Sequence, residues 1–267
     1  MSLLPVSFIE KSDIPALKAM WTQAFGDPEE LMDGFFSLLD GAGFGLVCRD
    51  GGRAVSMAYV LEGLSCGDRR CAYIYAVATL EEYRGRGLGA ELMSACREKA
   101  MLRGSGVICT CPAEPSLYDW YAKVLDMAPV AYADERLYDK LSSTDLSVAS
   151  LSAGEYGALR ERHFAGKPHV SFPAGFLAME EMLCRVCGGG LCRVGGGAAA
   201  CYPEDGVLVV RELLCEEAKY EAVVSALTSK FGCLSARVRV PGLAAPCIAA
   251  VPSSSLSGGI WWGLDLN

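Results

Sequence analysis

Between Tyr73 and Met93 the chain reads YIYAVATLEEYRGRGLGAELM, an apolar ladder, then three glycines alternating with single residues, then a helical pattern. A helix start leaves its first backbone N–H groups without intrahelical partners, and the macrodipole adds about half a positive charge there. Glycine allows positive φ and close approach of a bulky anion, while Arg84 and Arg86 add charge and forked donors. Spacing narrows the choice of anion-binding loop. The dinucleotide fingerprint needs glycines at offsets 0, 2 and 5, whereas Gly85, Gly87 and Gly89 stand at 0, 2 and 4. The Walker loop needs Lys followed by Ser or Thr, and Ala90-Glu91 occupies that place.

The surroundings give the loop a fold. A strand near Val6–Ile9 precedes a helix over DIPALKAMWTQAFG, with Asp13 as N-cap, Pro15 in the first turn and Gly26 at the stop. A second helix follows over PEELMDGFFSLLDG. Two strands then flank Gly51-Gly52, a hairpin signal, and RRCAYIYAVATL makes a third. After the loop come a helix to about Arg103, a buried strand GVICTCPA, a short helix in EPSLYDWYAKVLD and a strand APVAYADERLYDK. This order predicts an α/β (mixed α+β) domain over 1–140, with helices on both faces of a mixed, mostly antiparallel sheet. Residues 141–150, LSSTDLSVAS, read as a polar linker. Residues 151–267 read as a second, smaller and degenerate copy: two helices, strands around Gly189-Gly190 and Gly195–Gly197, GVLVVRELLC, a helix EEAKYEAVVSALTSKFG, and strands CLSARVRVPG, PCIAAVPS and IWWGLDLN. The copy passes from Leu214 through Cys215 to EEAKY with neither glycine nor arginine.

The pattern that fits is Arg/Gln-x-x-Gly-x-Gly/Ala, here Arg84-x-x-Gly87-x-Gly89 after YAVAT and opening a helix. It resembles the GNAT superfamily of acyl-CoA-dependent N-acyltransferases over roughly residues 1–140. The resemblance implies acetyl-CoA as cofactor. Its pyrophosphate is expected on the backbone of Arg84, Gly85, Arg86, Gly87, Leu88, Gly89 and Ala90, and its pantetheine arm along Val77, Ala78 and Thr79. Trp120-Tyr121-Ala122-Lys123 resembles the family's Phe-Tyr-x-Lys segment, whose tyrosine protonates the departing thiolate, which makes Tyr121 the candidate general acid. A phenol suits the task because its pKa lies near that of a thiol. Leu125-Asp126-Met127 departs from the family's Gly-Phe.

The acceptor amine must lose a proton, and Glu82, Glu114 and the carboxylate of Asn267 are the candidate bases. Glu114 is favoured because it follows the strand GVICTCPA, where the central strands are expected to part. It also suits the first turn of a helix as a dipole partner. The implied enzyme is an N-acetyltransferase acting by direct transfer on a small-molecule or peptide amine. A non-catalytic acyl-CoA-binding regulatory protein that keeps the loop is the other reading left open.

Composition restricts partners more than chemistry. Net charge is −8, and residues 1–140 hold 14 basic against 20 acidic residues, which favours cationic acceptors and disfavours nucleic acid. No signal-like leader or spanning apolar run is visible, so a cytoplasmic protein without a membrane partner is expected. The 13 cysteines lie scattered through apolar runs and read as reduced core thiols. Cys184 and Cys187 form one tight pair where a structural zinc site needs two, so no metal is expected. His163 and His169 read as solvated loop residues. Trp261 and Trp262 read as sheet caps with some scope for stacking on an acceptor, and the second domain as shaping the acceptor site or a homodimer contact.

Overall fold

A computed structural model describes residues 4–139, 142, 144–256 and 259–266. The chain forms two units, one of residues 1–130 and 247–258, the other of 131–246 and 259–267. In the first, β1 (Val6–Phe8) precedes α1 (Ile14–Phe25) and α2 (Glu29–Ala42). Gly26 ends α1 in the left-handed conformation, with φ 75°. Asp13 stands at the N-cap position, but its carboxylate accepts from the Glu10 amide and Arg49 rather than from the first turn of α1.

The strands β2 (Gly43–Asp50), β3 (Arg53–Cys66) and β4 (Arg69–Thr79) form an antiparallel meander, with Gly51 and Gly52 turning the first hairpin at positive φ. Next come α3 (Leu88–Leu102), β5 (Val107–Thr110), parallel to β4, and α4 (Leu117–Leu125). Side chains alternate across the sheet. Tyr59, Tyr73 and Tyr75 join Trp21 and Phe35 on the side of α1 and α2, while Ala72 and Ile74 pack with Leu92, Cys96 and Leu125 on the other.

The next strand departs from expectation. β6 (Ala128–Tyr138) was read as the last strand of the domain over 1–140, but from Ala131 it belongs to the second unit. There β7 (Val148–Ser150) pairs with β8 (Gly190–Val194), so the end of the segment read as a linker is a strand. α5 (Ala153–His163) opens with a capping box between Ser152 and Glu155, and α6 (Ala174–Val186) follows. β8 (Gly190–Val194), β9 (Gly197–Glu204) and β10 (Val207–Leu214) form a second meander, then α7 (Tyr220–Phe231) leads to β11 (Ser235–Pro241), parallel to β10. β6 pairs antiparallel with β11.

β12 (Ala245–Val251) supplies the missing edge partner of β5, pairing antiparallel from Ala249↔Thr110 to Val251↔Ile108. Its Ala249 and Val251 lie in the same core cluster as Ile108, Leu92 and Leu125. Each unit thus takes the strand beside its inner parallel strand from the other half of the sequence. The second unit repeats the element order of the first up to β11, without a counterpart of α4. The segment IWWGLDLN, read as a strand, makes only an isolated bridge at Trp261 among the described residues.

Two exposed half-strands therefore result if the chain is cut at the linker. A fragment of residues 1–140 keeps β6 without β11 and leaves β5 without β12. Circular dichroism during heating is expected to show no cooperative transition for this fragment, against a sharp one for the full chain.

Candidate functional site

The site begins where β4 and β5 part. Their parallel pairing runs from Cys71↔Val107 to Ile74↔Thr110. The Thr110 hydroxyl, 2% exposed, donates to the Ile74 carbonyl at 3.0 Å and closes the ladder. Just beyond, β4 bulges: between the pairs Tyr59↔Tyr75 and Met57↔Ala78 it carries one residue more than β3. Ala76 takes φ 47°, a left-handed conformation that costs a non-glycine residue about 1 kcal/mol. Strain of this kind concentrates at functional sites. The extra residue turns Val77 to the face occupied by Ile74, where it packs on the core beside α3, and leaves main-chain groups outside the ladder. Ser56, fully buried, fixes the strand beyond the bulge through the Ala78 carbonyl and the Thr79 hydroxyl, at 2.9 and 2.7 Å.

The glycine loop follows. A turn of 3-10 helix, Glu81–Tyr83, leads to Gly85 at φ 73° and Gly87 at φ 84°, and a Cβ on either would meet nothing within 4 Å. Gly87 is the N-cap of α3 and offers no capping side chain, so the amides of Leu88, Gly89 and Ala90 have no helical acceptor. Gly89, in the first turn of α3, has room for a Cβ, which would make ordinary contact with the Trp120 ring at 3.6 Å.

The two arginines brace the loop itself. Arg84 Nε donates to the Thr79 carbonyl at 3.2 Å, and Arg86 donates to the Glu82 carbonyl at 2.6 Å with its guanidinium 4.6 Å over the Tyr83 ring. Each bond uses one of five guanidinium donors. Tyr83 is held in turn by Asp50 at 2.9 Å, and Glu82 pairs with Arg53 at 3.1 Å. A backbone amide hydrogen bond, then Arg53, holds the Glu82 carboxyl below its usual range.

α4 brings Tyr121 to the base of the parting strands. Its side chain is 7% exposed and its hydroxyl is hydrogen-bonded to Thr110, so Thr110 ties the phenol to Ile74. Burial pushes the phenol above its ordinary range, and the Thr110 bond offsets part of this. Trp120 meets Tyr121 edge-on at 4.9 Å. The unusual Asp126 does not disturb the helix exit. It adopts the left-handed conformation, φ 59°, in which glycine commonly ends a helix, and Met127 is buried at 2% exposure.

The candidate bases are placed differently. Glu114 lies in the exposed turn ahead of α4, outside the helix, and accepts from the Ser116 hydroxyl at 3.3 Å. Glu82 is exposed on the loop, and Asn267 lies outside the described residues. Sequence reasoning named the loop and Tyr121 but missed Thr110, whose only signal was one hydroxyl at the end of an apolar run, and the bulge, which has no local signal in Tyr75-Ala76-Val77. Thr110→Val strands a buried carbonyl and a phenol. It is expected to lower stability by about 1–3 kcal/mol in urea unfolding.

An open parallel pair, a bulge at its mouth and a glycine-led helix start beside it make up the candidate site. Residues 10–126 match the acetyltransferase (GNAT) family. Through this segment, just under half of its length, the chain is similar to that family. No curated protein sequence matches it significantly.

Among solved structures, a GCN5-related N-acetyltransferase from Kribbella flavida is 16% identical, with a TM-score of 0.68, over 96% of this chain and 74% of that one. Eis1 from Mycobacterium abscessus is 16% identical, with a TM-score of 0.62, over 88% and 65%. A GCN5-related N-acetyltransferase from Anabaena variabilis is 11% identical, with a TM-score of 0.63, over 92% and 72%. These likenesses are of fold, and each extends through both units. No helix among the described residues is long and apolar enough to cross a membrane.

Proposed function

We propose that the first unit binds acetyl-CoA and transfers its acetyl group directly to a primary amine. The observation that carries this reading is the bulge at Ala76, placed between the parting strands and the uncapped start of α3. Bound there, the coenzyme supplies an activated thioester. The amides of Leu88, Gly89 and Ala90 and the spare donors of Arg84 and Arg86 suit its diphosphate, because the glycines present no Cβ to the approaching group. Val77, Ala78 and Thr79 offer strand edges to the pantetheine arm, and an amide released by the bulge polarises the acyl carbonyl.

Tyr121 then donates to the sulfur as it leaves. Its raised pKa makes full proton transfer to a solvated thiolate uphill, but a thiolate in the same desolvated setting has its own pKa raised, which restores the match. Glu114, on its exposed turn, passes the proton of the amine to solvent. An acidic first half favours a cationic amine as acceptor.

Release of free thiol from acetyl-CoA with a panel of amines tests the reaction, and silence across the panel together with intact coenzyme binding would favour the regulatory alternative. Tyr121→Phe is expected to lower kcat about 100-fold while leaving coenzyme affinity unchanged. Because the phenol must stay protonated to donate and its pKa lies above the ordinary value of about 10, the alkaline limb of the wild-type pH–rate profile is expected beyond pH 10. A limb near pH 8 would remove Tyr121 from this role. Gly87→Val forces a β-branched residue to φ 84°, and calorimetry is expected to show about tenfold or weaker coenzyme binding.

A further inference from the structure

The second unit repeats the parting of strands but fills it with charge. β10 and β11 pair in parallel from Val207↔Ser235 to Val210↔Val238 and then separate, and β10 bulges just past that point, at Arg211. The first residue beyond the last pair on each strand is an arginine, Arg211 on β10 and Arg239 on β11. In the first unit the same two positions are Tyr75 and Cys111, neither of them cationic.

One carboxylate spans the two arginines. Asp265 Oδ1 accepts from Arg211 at 2.7 Å and its Oδ2 accepts from Arg239. The residues around Asp265 are held just as closely. Leu266 N donates to Glu180 at 2.8 Å, the Trp261 indole donates to Glu212 at 2.8 Å, and the Trp262 carbonyl accepts from Arg160 at 3.1 Å. Gly263, at φ 78°, passes so close to Glu212 that a Cβ would lie 1.9 Å from Oε1. Trp261, Trp262, Leu264, Asp265 and Leu266 are all at most 5% exposed. Three carboxylates (Glu180, Glu212, Asp265) pair with three guanidiniums (Arg160, Arg211, Arg239), and the half-exposed Glu161 also lies 3.8 Å from Arg160.

We infer that the parting strands of the second unit form a carboxylate clamp, Arg211 with Arg239, whose ligand is the chain's own segment 260–266 through Asp265. The position used for a coenzyme in the first unit, on the reading proposed above, is occupied in the second by protein. It follows that the chain binds one coenzyme A, not two.

Asp265→Ala removes one carbon and two oxygens, which formate replaces atom for atom, and a cavity of about 180 Å³ lined by Arg211, Arg239, Asp265 and Tyr202 gives access. The full-length variant is expected to melt roughly 10 °C below wild type, because an unpaired buried charge remains. Sodium formate, and not chloride at the same concentration, is expected to restore much of that loss while leaving wild type unmoved. Asp265→Asn keeps the volume without the charge and is expected to lose stability and gain nothing from formate. Arg239→Gln, at the more exposed end of the clamp, is the milder check should the others not fold, with a smaller drop and no rescue.

Equal melting of Asp265→Ala and wild type, or equal stabilisation of both by formate, overturns the clamp. Titration with coenzyme A is expected to give one site per chain, weakened at least about tenfold by Gly87→Val. Two sites would also overturn the inference, whereas no binding at all sinks the coenzyme reading and leaves the clamp standing.

Discussion

The bond from the Thr110 hydroxyl to the Ile74 carbonyl marks the last point at which β4 and β5 belong to one sheet, and the rest of the site is arranged around that ending. Parallel strands with covered faces open crevices at their carboxyl ends, which is where ligands of open α/β sheets bind. Here the crevice is sharpened twice. A bulge on β4 releases main-chain groups at its mouth, and the start of α3 points its unpaired amides at the same end of the sheet. Tyr121 is fixed through the same threonine, so the hydroxyl that closes the ladder also sets the phenol. The strain at Ala76 is held in place by Ser56 beneath it and by aromatic packing of Tyr75 against Trp21 and Phe35.

The two units show how one frame can be put to different uses by a handful of residues. Both carry a meander, a crossover helix, a parallel strand and a bulge just past the parallel pairing. In the first, small and uncharged residues at the bulge leave backbone as the chemical surface. In the second, Arg211 and Glu212 bury full charges there, and buried charge demands partners. Those partners come from α5, α6 and the segment 259–266, so the absence of a glycine loop after Leu214 accompanies a crevice that is already filled.

Much of this was legible in the sequence where the determinants are local. The glycine spacing, the helix stop at Gly26 and the hairpin at Gly51-Gly52 all act within a few residues of themselves, and each was placed correctly. The partner of β5 was not legible. APVAYADERLYDK and PCIAAVPS are both half-apolar segments able to pair antiparallel at a sheet edge, and nothing within either says which parallel strand it will join. IWWGLDLN looked like a strand because it is apolar, yet its glycine at φ 78° and buried aspartate serve side-chain contacts about 50 residues away in sequence. Asp126 shows the converse. It broke the family's pattern in letters and kept it in backbone geometry, since aspartate tolerates the left-handed region better than most residues.

The exchange of edge strands sets a schedule for biosynthesis. Thr110 leaves the ribosome about 140 residues before Ala249, its partner across β5 and β12. At typical elongation rates that interval is on the order of ten seconds. Throughout it the nascent first unit has a complete glycine loop, a complete α3 and an unfinished sheet edge. The sheet of the first unit is therefore completed only after most of the second half of the chain has been made.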